Sequence, residues 1–487
     1  MLIRIGYDDL KIVLRDSGSL LKWSGIVFLA PLILGIWFSE SISILLIYAL
    51  TATFSFFLGL SLKRACRTES ETGLKHAFMT VVLVWLVVTA IAAIPFVLIT
   101  GMTFVDSFFE VMSALTTTGL SMMKFFIDSA PKSLIFFRSL LSWIGGVGII
   151  VLALMGILST YTKSSKLLVA EGHQERIRPN LKNTAKEIWV VYAILTVLSI
   201  ALLFFSGMDL FNAVNYAMSA ISTSGMDTTS QGLVGVTDPA IIVSLGIIML
   251  VGAISFSTHH LFIIGRKYDA YAKDIETKTL LFVLVLSMIL VVPKVAVFYQ
   301  NNWLALQTVF FQNTSALTGG GFSSVPAADI SGWGDFVMFI MLGIMIIGGS
   351  SGSTAGGIKI SRFILFCKSV YWKIMEAILP KDSFFQKNFE GRPVKDSEIK
   401  EVNQFILLYL VFILLGVLVL TFQNVDFLKA LFVVISAQGN VGIDIGVVSV
   451  AMPLASKIML IFNMWVGRLE IIPIMSAAGF LLSLKGK

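Results

Sequence analysis

Residues 113–121 read Ser113-Ala114-Leu115-Thr116-Thr117-Thr118-Gly119-Leu120-Ser121, and this nine-residue frame returns three times. The second copy is Ser219-Ala220-Ile221-Ser222-Thr223-Ser224-Gly225-Met226-Asp227, and the third is Ser315-Ala316-Leu317-Thr318-Gly319-Gly320-Gly321-Phe322-Ser323. The fourth is Ser436-Ala437-Gln438-Gly439-Asn440-Val441-Gly442-Ile443-Asp444. Every copy opens Ser-Ala, carries Gly at its seventh position, and ends on Ser or Asp. An apolar run precedes or overlaps the start of each copy, at 103–115, 210–221, 304–317 and 427–436. A helix needs about 20 residues to cross a ~30 Å hydrocarbon layer, so these runs suit segments that enter the bilayer and turn back. Four copies at matching places in the hydropathy pattern indicate an internal repeat.

The rest of the chain explains what the repeat sits in. Of 487 residues, 13% are charged and 56% apolar, with a mean hydropathy of +0.89. Soluble proteins carry about 25% charged residues, so this chain cannot cover a water-facing surface. Its aromatic content excludes disorder. Apolar stretches at 26–38, 43–62, 78–99, 134–158, 188–205, 241–264, 280–298, 336–347, 405–422 and 458–484 predict about ten spans. The expected fold class is an all-α polytopic membrane protein. A two-span hairpin at 1–68 precedes repeat units at 69–172, 173–272, 273–400 and 401–487. Residues 1–22 are polar, with no small-residue cleavage site, so no cleavable signal peptide is expected. Cys66 and Cys367 form no disulfide framework or zinc spacing.

With both termini cytoplasmic, 29 of the 36 Lys and Arg residues fall on the cytoplasmic side. The exceptions are Lys124, Lys132, Arg138, Lys294, Lys429, Lys457 and Arg468. This is a positive-inside pattern. The net charge of +7 therefore reads as topology and lipid contact, with no nucleic-acid partner. The outer side would hold Asp106, Glu110, Asp128, Asp209, Asp227, Asp238, Asp329, Asp335, Asp426 and Asp444, which would concentrate cations at the mouth.

Each unit reads as span, short helix, Gly/hydroxyl strand, span. Four units around an axis would enclose one pore within a single chain. Glycine opens backbone conformations that a Cβ forbids, which lets carbonyls turn to the axis and replace the hydration shell of a potassium-sized ion. Thr and Ser hydroxyls would add uncharged oxygens. The short helices would aim partially negative C-terminal ends at the centre.

With these features the chain resembles the TrkH/KtrB branch of the potassium transporter superfamily, which also holds the fungal Trk and plant HKT proteins. The specific segments are the four frames, Trp143-Ile144-Gly145-Gly146-Val147-Gly148, the run Gly348-Gly349-Ser350-Ser351-Gly352-Ser353-Thr354-Ala355-Gly356-Gly357-Ile358-Lys359, and Gly467-Arg468-Leu469-Glu470. The early hairpin and the length resemble TrkH more than KtrB. By motif position, the resemblance implies a K+ selectivity filter of Thr116, Thr117, Thr118 and Gly119; Ser222, Thr223, Ser224 and Gly225; Thr318, Gly319, Gly320 and Gly321; and Gly439, Asn440, Val441 and Gly442. It implies a flexible gate at Gly348, Gly349, Ser350, Ser351, Gly352, Ser353, Thr354, Gly356, Gly357 and Lys359, within 348–359 and beneath the filter. Gly119, where some sodium-favouring plant relatives have Ser, points to K+. No copy has the full Thr-Val-Gly-Tyr-Gly of a potassium channel, and weaker discrimination against Na+ is expected. The resemblance further implies a homodimer in the inner membrane of a prokaryote and a cytoplasmic ring of RCK-type, TrkA-like subunits. ATP, ADP or NADH would act only through that partner. Basic stretches at 163–186 and 384–400 are candidate docking surfaces, although positive-inside topology also accounts for them.

Arg468 lies inside an apolar span, where an Arg costs at least ~2.5 kcal/mol and marks function by default. Glu470, two residues on, points away on a helix and is a poor partner. Arg468 is therefore expected to meet the carbonyls and hydroxyls of the 348–357 loop and oppose cation passage. The five Gly of that loop disfavour a helix, at about 1 kcal/mol each, and broken helices at membrane depth are binding or gating sites. The alternatives are small-residue helix packing for the loop and snorkelling for Arg468. For the whole chain they are an H+- or Na+-coupled symporter and an intramembrane serine protease using Ser351 with His259 or His260. The loop is no ATP site, since Ile358 separates its last Gly from Lys359.

Overall fold

The structure is a computed structural model and describes residues 7–148, 181–236, 238–380, 386–389 and 391–484. Among these the protein is all-α apart from one two-residue antiparallel pair, Asn388–Phe389 with Arg392–Pro393. It is a polytopic membrane protein. Six helical stretches are long and apolar enough to cross a bilayer: Asp8–Trp37, Ile42–Ala65, Lys75–Thr100, Thr184–Phe205, Ile275–Tyr299 and Asp396–Phe422. The first two pack against each other, and each of the other four precedes one of the frames. The first span starts earlier than hydropathy indicates. Residues 26–38 are only its far half, and the charged stretch before them is helix Tyr7–Val27.

That helix packs on Ile42–Ala65 through glycines. A Cβ on Gly25 would lie 2.7 Å from the Ala52 carbonyl, and one on Gly18 2.6 Å from that of Gly59. Arg15 donates to the Thr68 and Ser70 carbonyls at 2.8 and 3.1 Å, and Asp9 pairs with Lys75 and His76. The described basic residues of 7–22 and the stretch 63–75 therefore share one side.

The four pore helices are Phe104–Leu115, Leu210–Ile221, Asn302–Thr318 and Phe427–Gln438. Each has a side-chain N-cap, from Thr103, Asp209, Asn301 and Asp426 respectively. These caps satisfy orphan amides at the helix starts. Their C-terminal ends converge on the four frames.

The four second helices of the units are not straight spans. Lys132–Val147 ends at Gly148, with φ +89°. Pro239–Gly252 bends by 102° into Phe256–Ile263. Asp335–Ile347 gives way to the glycine run before Ile360–Ile378. Leu454–Arg468 bends by 111° into the segment beginning at Pro473. The sequence predicts a break only in the third. The breaks share a cause in the first, second and fourth units. A Cβ on Gly145, Gly252 or Gly467 would collide with the carbonyl of Leu115, Ile221 or Gln438, the third residue of the respective frame. These helices press their backbone against the third residue of a frame and end or bend close by. The expected span at 134–158 and the stretch 163–186 run largely or partly outside the described residues.

Candidate functional site

The frame's side chains explain its recurrence. In every copy the amide of the sixth residue donates to the carbonyl of the opening Ser, at 2.8–2.9 Å: Thr118 to Ser113, Ser224 to Ser219, Gly320 to Ser315 and Val441 to Ser436. The Ser hydroxyl then holds the strand further out. Gly119 N and Gly442 N donate to Ser113 and Ser436 Oγ at 3.0 Å, Met226 N donates to Ser219 Oγ at 2.7 Å, and Ser315 Oγ donates to the Phe322 carbonyl at 2.7 Å. The second-position Ala is fully buried in all four copies.

The backbone alternates in hand. Position five is left-handed in every copy, with φ +53° at Thr117 and Thr223, +72° at Gly319 and +50° at Asn440. Position seven is positive again, from +69° at Gly225 to +94° at Gly119 and Gly442. Such φ values cost L residues about 1–2 kcal/mol, so they persist because the anchors above impose them.

The strands close into a ring. A Cβ on Gly119 would strike the Ser224 carbonyl, one on Gly225 would come 2.7 Å from the Gly320 carbonyl, and one on Gly321 would come 2.5 Å from that of Val441. One on Gly442 would strike the Thr118 carbonyl. Each seventh-position Gly abuts the sixth-position carbonyl of the next copy, and the fourth copy returns to the first. The sixteen residues assigned to a filter therefore come together around one axis.

Most of their hydroxyls, however, bind their own pore helix or a neighbouring strand. Thr116 Oγ1 donates to Met112 O at 2.7 Å, Thr318 Oγ1 to Thr314 O at 2.7 Å, and Ser222 Oγ to Ser219 O at 3.1 Å. Thr118 Oγ1 accepts from Asn440 Nδ2 at 3.0 Å. Thr117 Oγ1 is buried with no hydrogen-bond partner. Backbone carbonyls are thus the main oxygens left for an ion.

Above the ring lies a vestibule of about 270 Å³, lined by the four seventh-position glycines with Asp227 and Asp444 and by Lys124 and Arg138. Most of the outer carboxylates also have a structural partner. Asp209, Asp238 and Asp426 are N-caps, Asp128 accepts from Ser230, and Asp329 accepts from Tyr299. Asp106 and Glu110 are buried in the first pore helix and paired, Asp106 with Lys457 and Glu110 with Arg138, each at 2.5 Å. Two of the cations that break the positive-inside pattern are thus partners of buried carboxylates. Neither pair is found by the sequence reading. The sequence marks Arg138 and Lys457 only as cations outside the positive-inside pattern, and no spacing identifies their partners.

The glycine run folds back beneath the ring. Ile358 N and Lys359 N donate to the Ile346 and Ile347 carbonyls at 3.0 Å, and Ile360 N donates to that of Gly349 at 2.9 Å, so 348–357 is an excursion with closed ends. Gly348, Gly352, Gly357 and Lys359 have positive φ. Within it, Ser350 N donates to Ala253 O at 2.9 Å, and Ser351 N to Glu276 at 2.7 Å. Ser353 Oγ donates to Ser350 O at 2.6 Å. Thr354 Oγ1 reaches the Ile221 and Gly252 carbonyls at 3.0 and 2.9 Å. Gly356 packs directly on the Gly439 carbonyl, and Lys359 Nζ donates to that of Ala355. The run is therefore a structured loop touching the second and fourth frames.

Arg468, last residue of its helix, donates to the Thr354 carbonyl at 2.7 Å and to the Gly145 and Gly146 carbonyls at 2.5 and 2.9 Å. It meets the loop as expected, and it also caps the C-terminal end of Lys132–Val147. It does not snorkel. Glu470 pairs with Arg362. Arg468, Lys359, Glu470, Asn440, Ser353 and Gly356 border a cavity of only about 40 Å³ under the ring.

The Ser–His pairing fails. His259 bonds Tyr271 and the Val251 carbonyl at 2.8 and 2.9 Å, His260 pairs with Glu187 at 2.6 Å, and Ser351 Oγ bonds Ser361.

Residues 47–482 match the family model described as "TrkH: Cation transport protein". The chain is 33% identical over 473 residues to an uncharacterised cation transporter of Methanocaldococcus jannaschii, covering 97% of this chain and 96% of that one. It is 30% identical over 418 residues to the Trk system potassium uptake protein TrkH of Escherichia coli, covering 83% and 85%. The crystal structure of the potassium transporter TrkH from Vibrio parahaemolyticus superposes with a TM-score of 0.83 at 26% identity, covering 96% of this chain and 98% of that one.

Proposed function

The chain belongs to the TrkH family of cation transport proteins, a family of membrane transporters and not of enzymes, and from that premise we propose that it takes up K+ through a channel-like pore. The observation that carries this reading is the ring in which each frame's Gly meets the next frame's carbonyl. A ring of backbone oxygens coordinates a dehydrated monovalent cation without a fixed charge that would hold it. The pore helices add their negative ends. Potassium is the ion in the names of the Escherichia coli and Vibrio relatives.

The loop and Arg468 act as the gate. A fixed positive charge and a cavity of about 40 Å³ beneath the ring oppose passage, since one water needs roughly 10–15 Å³ by this measure and a hydrated cation carries several. The 1–68 hairpin and the four units at 69–172, 173–272, 273–400 and 401–487 make one subunit of a homodimer. The subunit sits in the inner membrane of a prokaryote with both termini cytoplasmic. An RCK-type partner binds the nucleotide and moves the gate. Single-channel recording of the purified protein in a planar bilayer tests the pore. Stepwise K+ currents that exceed Na+ currents are expected. K+ movement without steps, rising only with an imposed H+ or Na+ gradient, would replace this reading with coupled symport.

A further inference from the structure

The residue three before each frame's opening Ser lies on the same face of the pore helix as that Ser. In chain order it is Glu110, Tyr216, Gln312 and Val433, all buried. In three copies it reaches across the strand to the frame's ninth residue. Ser121 Oγ donates to Glu110 Oε1 at 3.0 Å, the Tyr216 hydroxyl is set against the Asp227 carboxylate, and Gln312 Nε2 donates to Ser323 Oγ at 2.8 Å. The first copy is the most elaborate. Glu110 Oε2 also accepts from Met122 N and Met123 N, at 2.6 and 3.2 Å. Arg138, paired with Glu110, donates to Ser121 Oγ at 3.0 Å and to the Asp227 carbonyl at 2.5 Å, joining the outer ends of the first and second strands. In the fourth copy Val433 cannot hydrogen-bond, and Asp444 accepts from Val447 N and Val448 N instead.

We infer that Glu110 with Arg138, Tyr216 and Gln312 are positioning residues that set K+/Na+ discrimination by fixing the outer ends of three strands. This rests on the pore reading above. A ring of flexible carbonyls selects by how closely its oxygens can follow a smaller ion. Inward movement of a strand requires its outer end to move, and the brace ties that end to a buried helix. The seventh-position contacts pass the constraint around the ring, which accounts for a fourth strand without a brace.

The test is the reversal potential with K+ on one side of a bilayer and Na+ on the other. Tyr216→Phe removes a hydroxyl set against both Thr228 and Asp227, Gln312→Met removes the contact with Ser323, and both keep the volume. Each should lower the K+/Na+ permeability ratio at least threefold with K+ current retained. Glu110→Gln should lower it more, and Glu110→Asp should restore part of it. Val433→Ala, an equally buried change at the unbraced position, should lower thermal stability without moving the ratio. Unchanged ratios in both Tyr216→Phe and Gln312→Met, or an equal drop in Val433→Ala, would overturn the inference while leaving the pore intact. A wild-type protein that passes K+ and Na+ alike would overturn the inference together with K+ selectivity, whereas the absence of stepwise current would overturn the pore reading itself. If Glu110 variants fail to fold, the two neutral variants decide.

Discussion

A guanidinium held by three carbonyls from two other units is a connection that one substitution can test. Arg468→Ala leaves the Thr354, Gly145 and Gly146 carbonyls without that donor and removes the charge below the ring. K+ leak into proteoliposomes should rise several-fold, read by a pH-dye flux assay, whereas Arg468→Lys, which keeps the charge but not the fork, should fall between. At the ring, Gly119→Ala sets a Cβ against the Ser224 carbonyl at φ +94°. Flux should fall at least tenfold in protein that still purifies as a folded species, because the clash lies on the ion's own ligands. At this scale the sequence was candid about glycines and misleading about acids. The seventh-position Gly had one physical use. An Asp before an apolar run serves equally well as mouth charge or N-cap, and Asp209, Asp238 and Asp426 proved to be caps.

Among the elements, the second helices depart most from their hydropathy. Apolar composition continued through each break, so 241–264 and 458–484 looked like straight spans. What stops them is a glycine pressed on the third-position carbonyl of another helix, a contact between segments some 30 residues apart in sequence. Only the third break was visible, because there the chain inserts five Gly. Gly348 and Gly357 face each other across the base of that loop, and a Cβ on Gly357 would lie 2.7 Å from the Gly348 Cα. Gly357→Ala should therefore splay the loop and raise basal flux, measured in the same assay, with little change in the amount of folded protein. Helix Lys132–Val147 is tied at its start too, where Glu40 from the N-terminal hairpin accepts from the Ser133 amide at 2.9 Å and from its hydroxyl. Glu40→Ala should cost about 1–2 kcal/mol, seen as a lower unfolding temperature in detergent.

For the whole molecule, one chain must close a ring that identical subunits would otherwise close by symmetry. The join between the first and last units is made by the Gly442–Thr118 contact, the Asn440–Thr118 hydrogen bond and the buried Lys457–Asp106 pair. Asp106→Asn strands a buried ammonium and should cost about 3 kcal/mol or more, while Asp106→Leu combined with Lys457→Met should recover most of it. Thermal unfolding of the two variants beside the unaltered protein checks this. The fourfold plan was legible because four frames recur at fixed places. The closure was not, because Asp106 and Lys457 belong to opposite ends of the chain and no spacing links them.

The Arg468 seat has one further consequence. Its three oxygens, at 2.5–2.9 Å from the guanidinium nitrogens, form the kind of nest that a bare alkali ion also accepts, and two of them end a helix whose dipole is negative there. The side chain impersonates the cargo. In the proposed gate, swinging it aside would do more than unplug a passage, since it would uncover three oxygens of complementary sign beside the proposed route. Opening thus exchanges repulsion for attraction at one spot, and a modest rotation of one residue is amplified into a large change in the field that the next ion meets.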